Sequence, residues 1–563
     1  MKVVHIVLLA GMALLAAVLL SPSPSDADDA DVLAIHGDIS RQEFGSGTGV
    51  IVGIVDSGVA STHPVLAGNT SLGHPRLLAA ANFVGDGDTS ATDNSVEGHG
   101  TLMASAILSN DPTHTGLAPD AQYINARVLD VNDMFGTDDV VMNGVGYAVS
   151  QGANVLNLSL NWGAGVNTNG TDRIDLILDW AAQQGVNIAV AAGNITATRD
   201  SNNEVLLQEF PPAPVRSPGS AYNVVTVGRT GVPVGDPNAG PITASTVLNY
   251  NQVFSTSASG PINSPTGIGS RDKPDLVAPG TNTTLASNEF TPGNPATYWS
   301  SGINGTSVSS ALVAGMMAQE IGYGESHGLS TSPLVIKATM MNSADQVLGK
   351  VLPSTSGPPN LSPGAPWQPR ASSMVGGVLQ VTAPLDVDSG AGQVDGAKLF
   401  QQYTAGQQGA GTVNPIGWDL NNISSTATTT YTLNAPQAAG SQINVTLDWL
   451  RHITWTDSNH NNIADSADIF TPQILSDLNL SVLVNGSLVA DSISTTDNEQ
   501  LLEFLLPQSG TVSIQVNDVA IAGAPPIEQY GLAWSIAAVP EPSAIFLAVC
   551  GAVLVGFRKF KRR

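Results

Sequence analysis

Over residues 48–403 the chain alternates short apolar, β-branched runs with helical stretches, and this alternation constrains its fold more than any other feature. The runs 50–55, 121–128, 155–160, 186–192 and 222–227 are apolar almost throughout, the pattern of strands buried on both faces. Between them, 140–151, 173–184 and 308–322 read as helices. Strands that alternate with helices predict an α/β fold, a doubly wound parallel sheet covered on both sides. Past residue 406 the texture changes to Thr, Ser, Asn and Val in period two, as at 428–433, 442–449, 479–484 and 511–516. That pattern predicts an antiparallel β-sandwich over 406–538. The Pro-, Ser- and Gly-rich stretch 349–384 between the two is expected to be a long surface loop.

Charge excludes one class of partner. Acidic residues outnumber basic ones 46 to 20, for a net charge of −26. Nucleic acid is therefore not expected, because phosphate contacts need clustered Lys and Arg. The balance suits an extracellular or calcium-rich setting. The sole cysteine, Cys550, lies in an apolar terminal run, so intrachain disulfides and thiolate chemistry are excluded.

Both ends read as targeting segments. Lys2, an apolar stretch over 3–20 and Ser-Pro-rich sequence to Ala27 predict a Sec-type signal peptide over 1–27. At the far end, Val539-Pro540-Glu541-Pro542-Ser543 precedes an apolar run over 544–557 and a basic close at Arg558, Lys559, Lys561, Arg562 and Arg563. This order resembles the PEP-CTERM sorting signal, which implies processing by an exosortase at the cell envelope of a bacterium. The alternative is a plain transmembrane tail anchor, although the run falls short of the ~20 residues a spanning helix needs.

Four motifs carry the chemistry. A strand over 50–55 runs into Asp56-Ser57-Gly58, placing a carboxylate at the carboxyl end of a buried strand, where α/β folds build their sites. Gly98-His99-Gly100-Thr101 opens a small-residue segment, and its glycines allow another backbone close to the imidazole. Ala191-Ala192-Gly193-Asn194 ends an apolar strand with an amide. Gly305-Thr306-Ser307 leads into an apolar helix whose N-terminal N–H groups would face anything bound beside Ser307. Ser309 and Ser310 fall inside that helix and are expected to pack.

Asp, then His, then Ser is the order of the subtilisin class. With the four motifs, Lys273-Pro274-Asp275-Leu276-Val277-Ala278-Pro279-Gly280 and Gly390-Ala391-Gly392-Gln393-Val394-Asp395-Gly396, the chain resembles the peptidase S8, or subtilase, family. The resemblance implies a subtilisin-like catalytic domain over 28–405 and a serine endopeptidase acting on protein or peptide substrates. It makes Ser307 the nucleophile, His99 its base and Asp56 the group that orients the imidazole. Asn194, with the Ser307 N–H, would hold the oxyanion. His63 stands where the family often carries a non-catalytic histidine. Ser159-Leu160-Asn161-Trp162-Gly163 corresponds to the strand that pairs with substrate, and Trp162 would narrow or cover the primary pocket.

The chain departs from the family's pattern in three places. The nucleophile's helix continues Val308-Ser309-Ser310-Ala311-Leu312, without the usual proline and its distortion. After His99 the sequence reads Thr101-Leu102-Met103-Ala104-Ser105 in place of Thr-His-Val-Ala-Gly. Between Ala27 and Asp56 there is too little chain for an inhibitory prodomain, so control by export or by the sandwich is expected.

In the sandwich, Asp457, Asn459, Asn461, Asp465 and Asp468 fall at loop positions 1, 3, 5, 9 and 12, a spacing that resembles the calcium loops of EF-hands and dockerins. The competing reading is a hydrated Asx-rich turn. No cofactor is required for the chemistry. The rival to an active peptidase is a catalytically weak or inactive subtilase fold that serves as a surface binding module.

Overall fold

The structure, a computed structural model, describes residues 29–161, 168–194, 198–199, 205–206, 214–231, 253–254, 256–265, 267–347, 350–351 and 366–537. Both targeting segments and Cys550 lie outside these residues. Among the described residues no helix is long and apolar enough to cross a membrane.

Short helices α1 (Ala30–Ala34) and α2 (Gly37–Phe44) lead into a parallel sheet. Its strands are β1 (Ile51–Asp56), β2 (Leu77–Asn82), β3 (Gln122–Arg127), β4 (Val155–Leu158), β5 (Asn187–Ala191), β6 (Val225–Thr230) and β7 (Leu276–Pro279). The order is β2-β3-β1-β4-β5-β6, with β7 pairing on β6 in parallel. Two short strands, Val253–Phe254 and Lys350–Val351, extend the β6 side. The chain begins in the middle at β1, builds outward to β2 and β3, then crosses back to β4. Side chains alternate across the sheet: Val52 and Ile54 of β1 face one core, and Val55 faces the other. The first core holds α3 (His99–Leu108) and α6 (Thr306–His327); the second holds α4 (Asp138–Ser150) and α5 (Arg173–Gln183). The doubly wound expectation is met.

Helix α6 is buried on nearly every side, as its sequence of small and apolar residues requires. It runs unbroken past residue 322 to His327 because Tyr323 packs edge-on against Phe44 and Phe400. α7 (Pro333–Asn342) and α8 (Gly396–Thr404) complete this unit.

The second unit is a sandwich of seven- and four-stranded sheets. Alternating inward residues such as Val445, Leu447, Leu478, Leu480, Ile514 and Leu532 form its core. Part of the stretch expected as a surface loop belongs here. The hairpin Ala371–Val375 and Val378–Ala383 joins the seven-stranded sheet, with Leu379–Val381 pairing in parallel with Ala490–Ser492. The sandwich thus takes its edge from sequence upstream of α8, so the two units are interleaved. A further hairpin, Ile453–Thr456 with Ile469–Pro472, reaches back to α5, where Trp180 meets Trp455 and Phe470.

Candidate active site

Asp56 ends β1 beside the point where the strand order reverses, the usual crevice of open α/β sheets. It is fully buried. Its Oδ1 faces His99 Nδ1 at 2.7 Å and accepts the Ser57 N–H at 2.7 Å. Oδ2 is buried with no partner among the described residues. His99 opens α3 behind Gly98, whose φ of +67° suits glycine. A Cβ on Gly100 would lie 2.1 Å from the Gly58 carbonyl oxygen, so only glycine lets the His-Gly and Asp-Ser-Gly backbones approach this closely.

Burial pushes the imidazolium of His99 down in pKa. The charge and hydrogen bond of Asp56, with the charges of Asp133 and Asp93, outweigh that effect and carry it up to about 9.

Ser307 is the second residue of α6, so its N–H has no intrahelical partner. Its hydroxyl donates to the Ser159 carbonyl at 3.2 Å. Asn194 lies across from it. The Asn194 Oδ1 accepts the Thr306 N–H at 3.0 Å and the Thr306 hydroxyl at 3.3 Å, which leaves its NH2 directed away from Thr306. His99, Asn194 and Ser307 share the walls of one open cleft of about 510 Å³, with Glu97, Leu102 and Ile303. The geometry thus pairs a hydroxyl, an imidazole backed by a buried carboxylate, and two N–H donors in one crevice.

One positioning residue, Asp93, lay outside the motifs, and three within them, Ser57, Thr101 and Thr306, take roles the motifs did not assign. Asp93 is buried and accepts from Thr101 N (3.0 Å), Thr101 Oγ1 (2.7 Å), Ser95 Oγ (2.9 Å) and Ser57 Oγ (3.2 Å). Ser57 Oγ in turn accepts the Gly100 N–H at 2.8 Å. Asp93, Ser57 and Thr101 therefore tie the residue after Asp56 to the helix that begins with His99. The fourth is Thr306, which holds Asn194.

Other expected site residues fall as follows. Ser159 donates its hydroxyl to the Ser307 carbonyl at 2.9 Å and so supports the nucleophile's helix, while Leu160 is buried in the core on the other face of the sheet. Asn161 is partly buried near Gly193. Trp162 and Gly163 lie outside the described residues. Ser309 and Ser310 are buried in α6 as expected, with Ser310 Oγ bonded to Asn157 and Ser307 O. His63 is buried among Phe290, Tyr298 and Trp299, which pushes its pKa down and keeps it away from the cleft.

The loop of Asp457, Asn459, Asn461, Asp465 and Asp468 closes on itself. The amides of Asn459 and Asn461 donate to Asp465 Oδ2 at 2.9 and 2.7 Å, and Asp457 accepts the N–H groups of Asn461 and Asn462. Asp468 accepts from Trp455 Nε1, Ser458 N and Asp465 N. The loop is thus satisfied by its own hydrogen bonds as an Asx turn. No group of three His, Cys, Asp or Glu placed to hold a metal occurs among the described residues.

His99, Asn194 and Ser307 line a crevice at the carboxyl ends of strands in a doubly wound sheet. Residues 47–393 match the subtilase family (Peptidase_S8), and the chain belongs to that family of serine peptidases. It is 36% identical over 155 residues to thermitase of Thermoactinomyces vulgaris, covering 27% of this chain and 50% of thermitase. It is 31% identical over 216 residues to the minor extracellular protease Vpr of Bacillus subtilis (strain 168), covering 37% of this chain and 24% of that one. The chain thus spans half or less of the length of these two relatives. A cold-adapted subtilisin-like serine proteinase of solved structure aligns at 26% identity and TM-score 0.35, covering 53% of this chain and 82% of that one. The fold assignment rests instead on strand order and the family match.

Proposed function

We propose that this chain is a secreted serine endopeptidase that hydrolyses peptide bonds through Asp56, His99 and Ser307. The observation that carries the reading is the 2.7 Å pairing of His99 Nδ1 with buried Asp56 on the wall of a cleft shared with Ser307. In this reading the Ser307 hydroxyl turns from the Ser159 carbonyl toward His99 and attacks the scissile carbonyl carbon. His99 Nε2 takes the proton, and Asp56 stabilises the resulting imidazolium. The oxyanion forms within reach of the Asn194 NH2 and the Ser307 N–H. Loss of such an amide in a subtilisin costs about 10²–10³ in kcat. Collapse breaks the C–N bond, and His99 returns its proton to the leaving amine. Water then repeats the sequence on the acyl-enzyme, releasing the acid and restoring Ser307.

No cofactor enters these steps. For the loop at 457–468 the hydrogen bonds favour a self-bonded Asx turn over calcium. Export by the segment 1–27 and sorting at the envelope by 539–563, with an exosortase as the processing partner, belong to the same proposal and rest on residue order. The extracellular nature of the Vpr relative agrees with secretion.

Purified protein is expected to digest unfolded casein, and Ser307→Ala to abolish that digestion. Intact casein with the wild type would favour the binding-module alternative.

A further inference from the structure

The cleft carries one unbalanced charge. Glu97 lies two residues before His99, is exposed, lines the cleft, and makes no ion pair among the described residues. Around it the walls are apolar at Leu102, Met103 and Ile303 or neutral at Asn194 and Asn304, and among the described residues no lysine or arginine lines the cleft. Asp133 stands behind it: its Oδ2 accepts the Glu97 N–H at 3.4 Å. The Glu97 carboxylate therefore lines this side of the cleft, beside His99 and with Asp133 behind its backbone.

Resting on the peptidase reading, we propose that Glu97 makes the cleft select substrates with a lysine or arginine within two residues of the scissile bond. An ammonium or guanidinium at that distance meets the Glu97 carboxylate with Asp133 behind it, while the long aliphatic stem packs along the apolar wall. A glutamate there meets like charge on a protein whose net charge is already −26. Charge complementarity of this kind discriminates between partners more than it adds raw affinity.

The test is a set of neutral fluorogenic peptides that differ only by Lys, Gln or Glu at each of the two positions on either side of the cleaved bond. The readout is the Lys/Gln ratio of kcat/KM within each enzyme form, which is independent of how much active enzyme a preparation holds. For the full-length protein at low salt the expected ratio is about fivefold at one position or more, the upper end for an exposed ion pair. It should shrink toward one at about 1 M salt, where screening acts within ~3 Å. Glu97→Gln should bring the ratio near one, and Glu97→Lys should favour the Glu peptide. A wild-type ratio of one at every position overturns the proposal, as does a ratio that survives both high salt and Glu97→Gln. The peptidase reading fails separately: in that case no peptide is cut and casein also stays intact.

Discussion

Burial drives the His99 imidazole toward its neutral form, yet three carboxylates around it reverse the balance and place its pKa at about 9. A general base acts only when neutral, so the imidazolium that dominates below that pH is inactive. The expected consequence is a kcat/KM that rises with pH and reaches half its plateau near pH 9. Asp133→Asn removes one of the raising charges and keeps an acceptor for the Glu97 N–H, so the limb should move to lower pH. A limb near 6.5, unmoved by Asp133→Asn, would contradict this electrostatic account. At the same scale, Asp56, His99 and Ser307 were legible because each stands in a short glycine-bearing motif in a telling order. Asp93 was not, because it carries no motif of its own. It gains meaning only when folding brings Ser57 and Thr101 to it.

Among elements, five of the seven parallel strands were readable to within a few residues because strands buried on both faces leave apolar runs, while Leu77–Asn82 and Leu276–Pro279 were not expected. The N-terminus of α6 fell two residues earlier than its apolar period, at Thr306, since the chain turns at Gly305 with a φ of +155°. Its C-terminal extension depends on aromatic contacts with α2 and α8, which local periodicity does not encode. The hairpin over 371–383 was hidden for a related reason. Its own turn at Gly376-Gly377 is local, but the strand it joins in the sheet, Ser487–Ser492, lies about a hundred residues downstream and pairs in parallel, so the sheet it belongs to was not visible locally. The spacing that resembles a calcium loop also suits a self-bonded turn. Asx side chains at alternate positions also satisfy their own loop's backbone, and here they do.

At the scale of the molecule, the peptidase unit and the sandwich share a buried ionic cluster. Lys337 of α7 lies 3.2 Å from Asp275, 3.4 Å from Asp448 and 3.1 Å from Glu499, the last two from the sandwich. Burial works against the Lys337 ammonium, but these carboxylates hold its pKa well above the ordinary lysine value. Lys273 pairs with Asp275 at 2.6 Å, and Arg451 of the sandwich bonds Asp179 of α5. Taking one partner from such a cluster leaves buried charge uncompensated. Lys337→Met is therefore expected to lower unfolding stability by about 3–5 kcal/mol, read from denaturant midpoints at constant slope. A loss below about 1 kcal/mol would mean that the sandwich is an appended module and does not share the enzyme's core.

The central claim is that Ser307 is a nucleophile activated by His99, and covalent labelling tests it most directly. The intact protein, treated with a fluorophosphonate and digested, should yield one adduct, on the peptide that contains Ser307. That adduct should form faster as pH approaches 9, and it should vanish in Ser307→Ala and fall sharply in His99→Ala. An unlabelled Ser307, or an adduct that forms equally well without His99, would contradict the account.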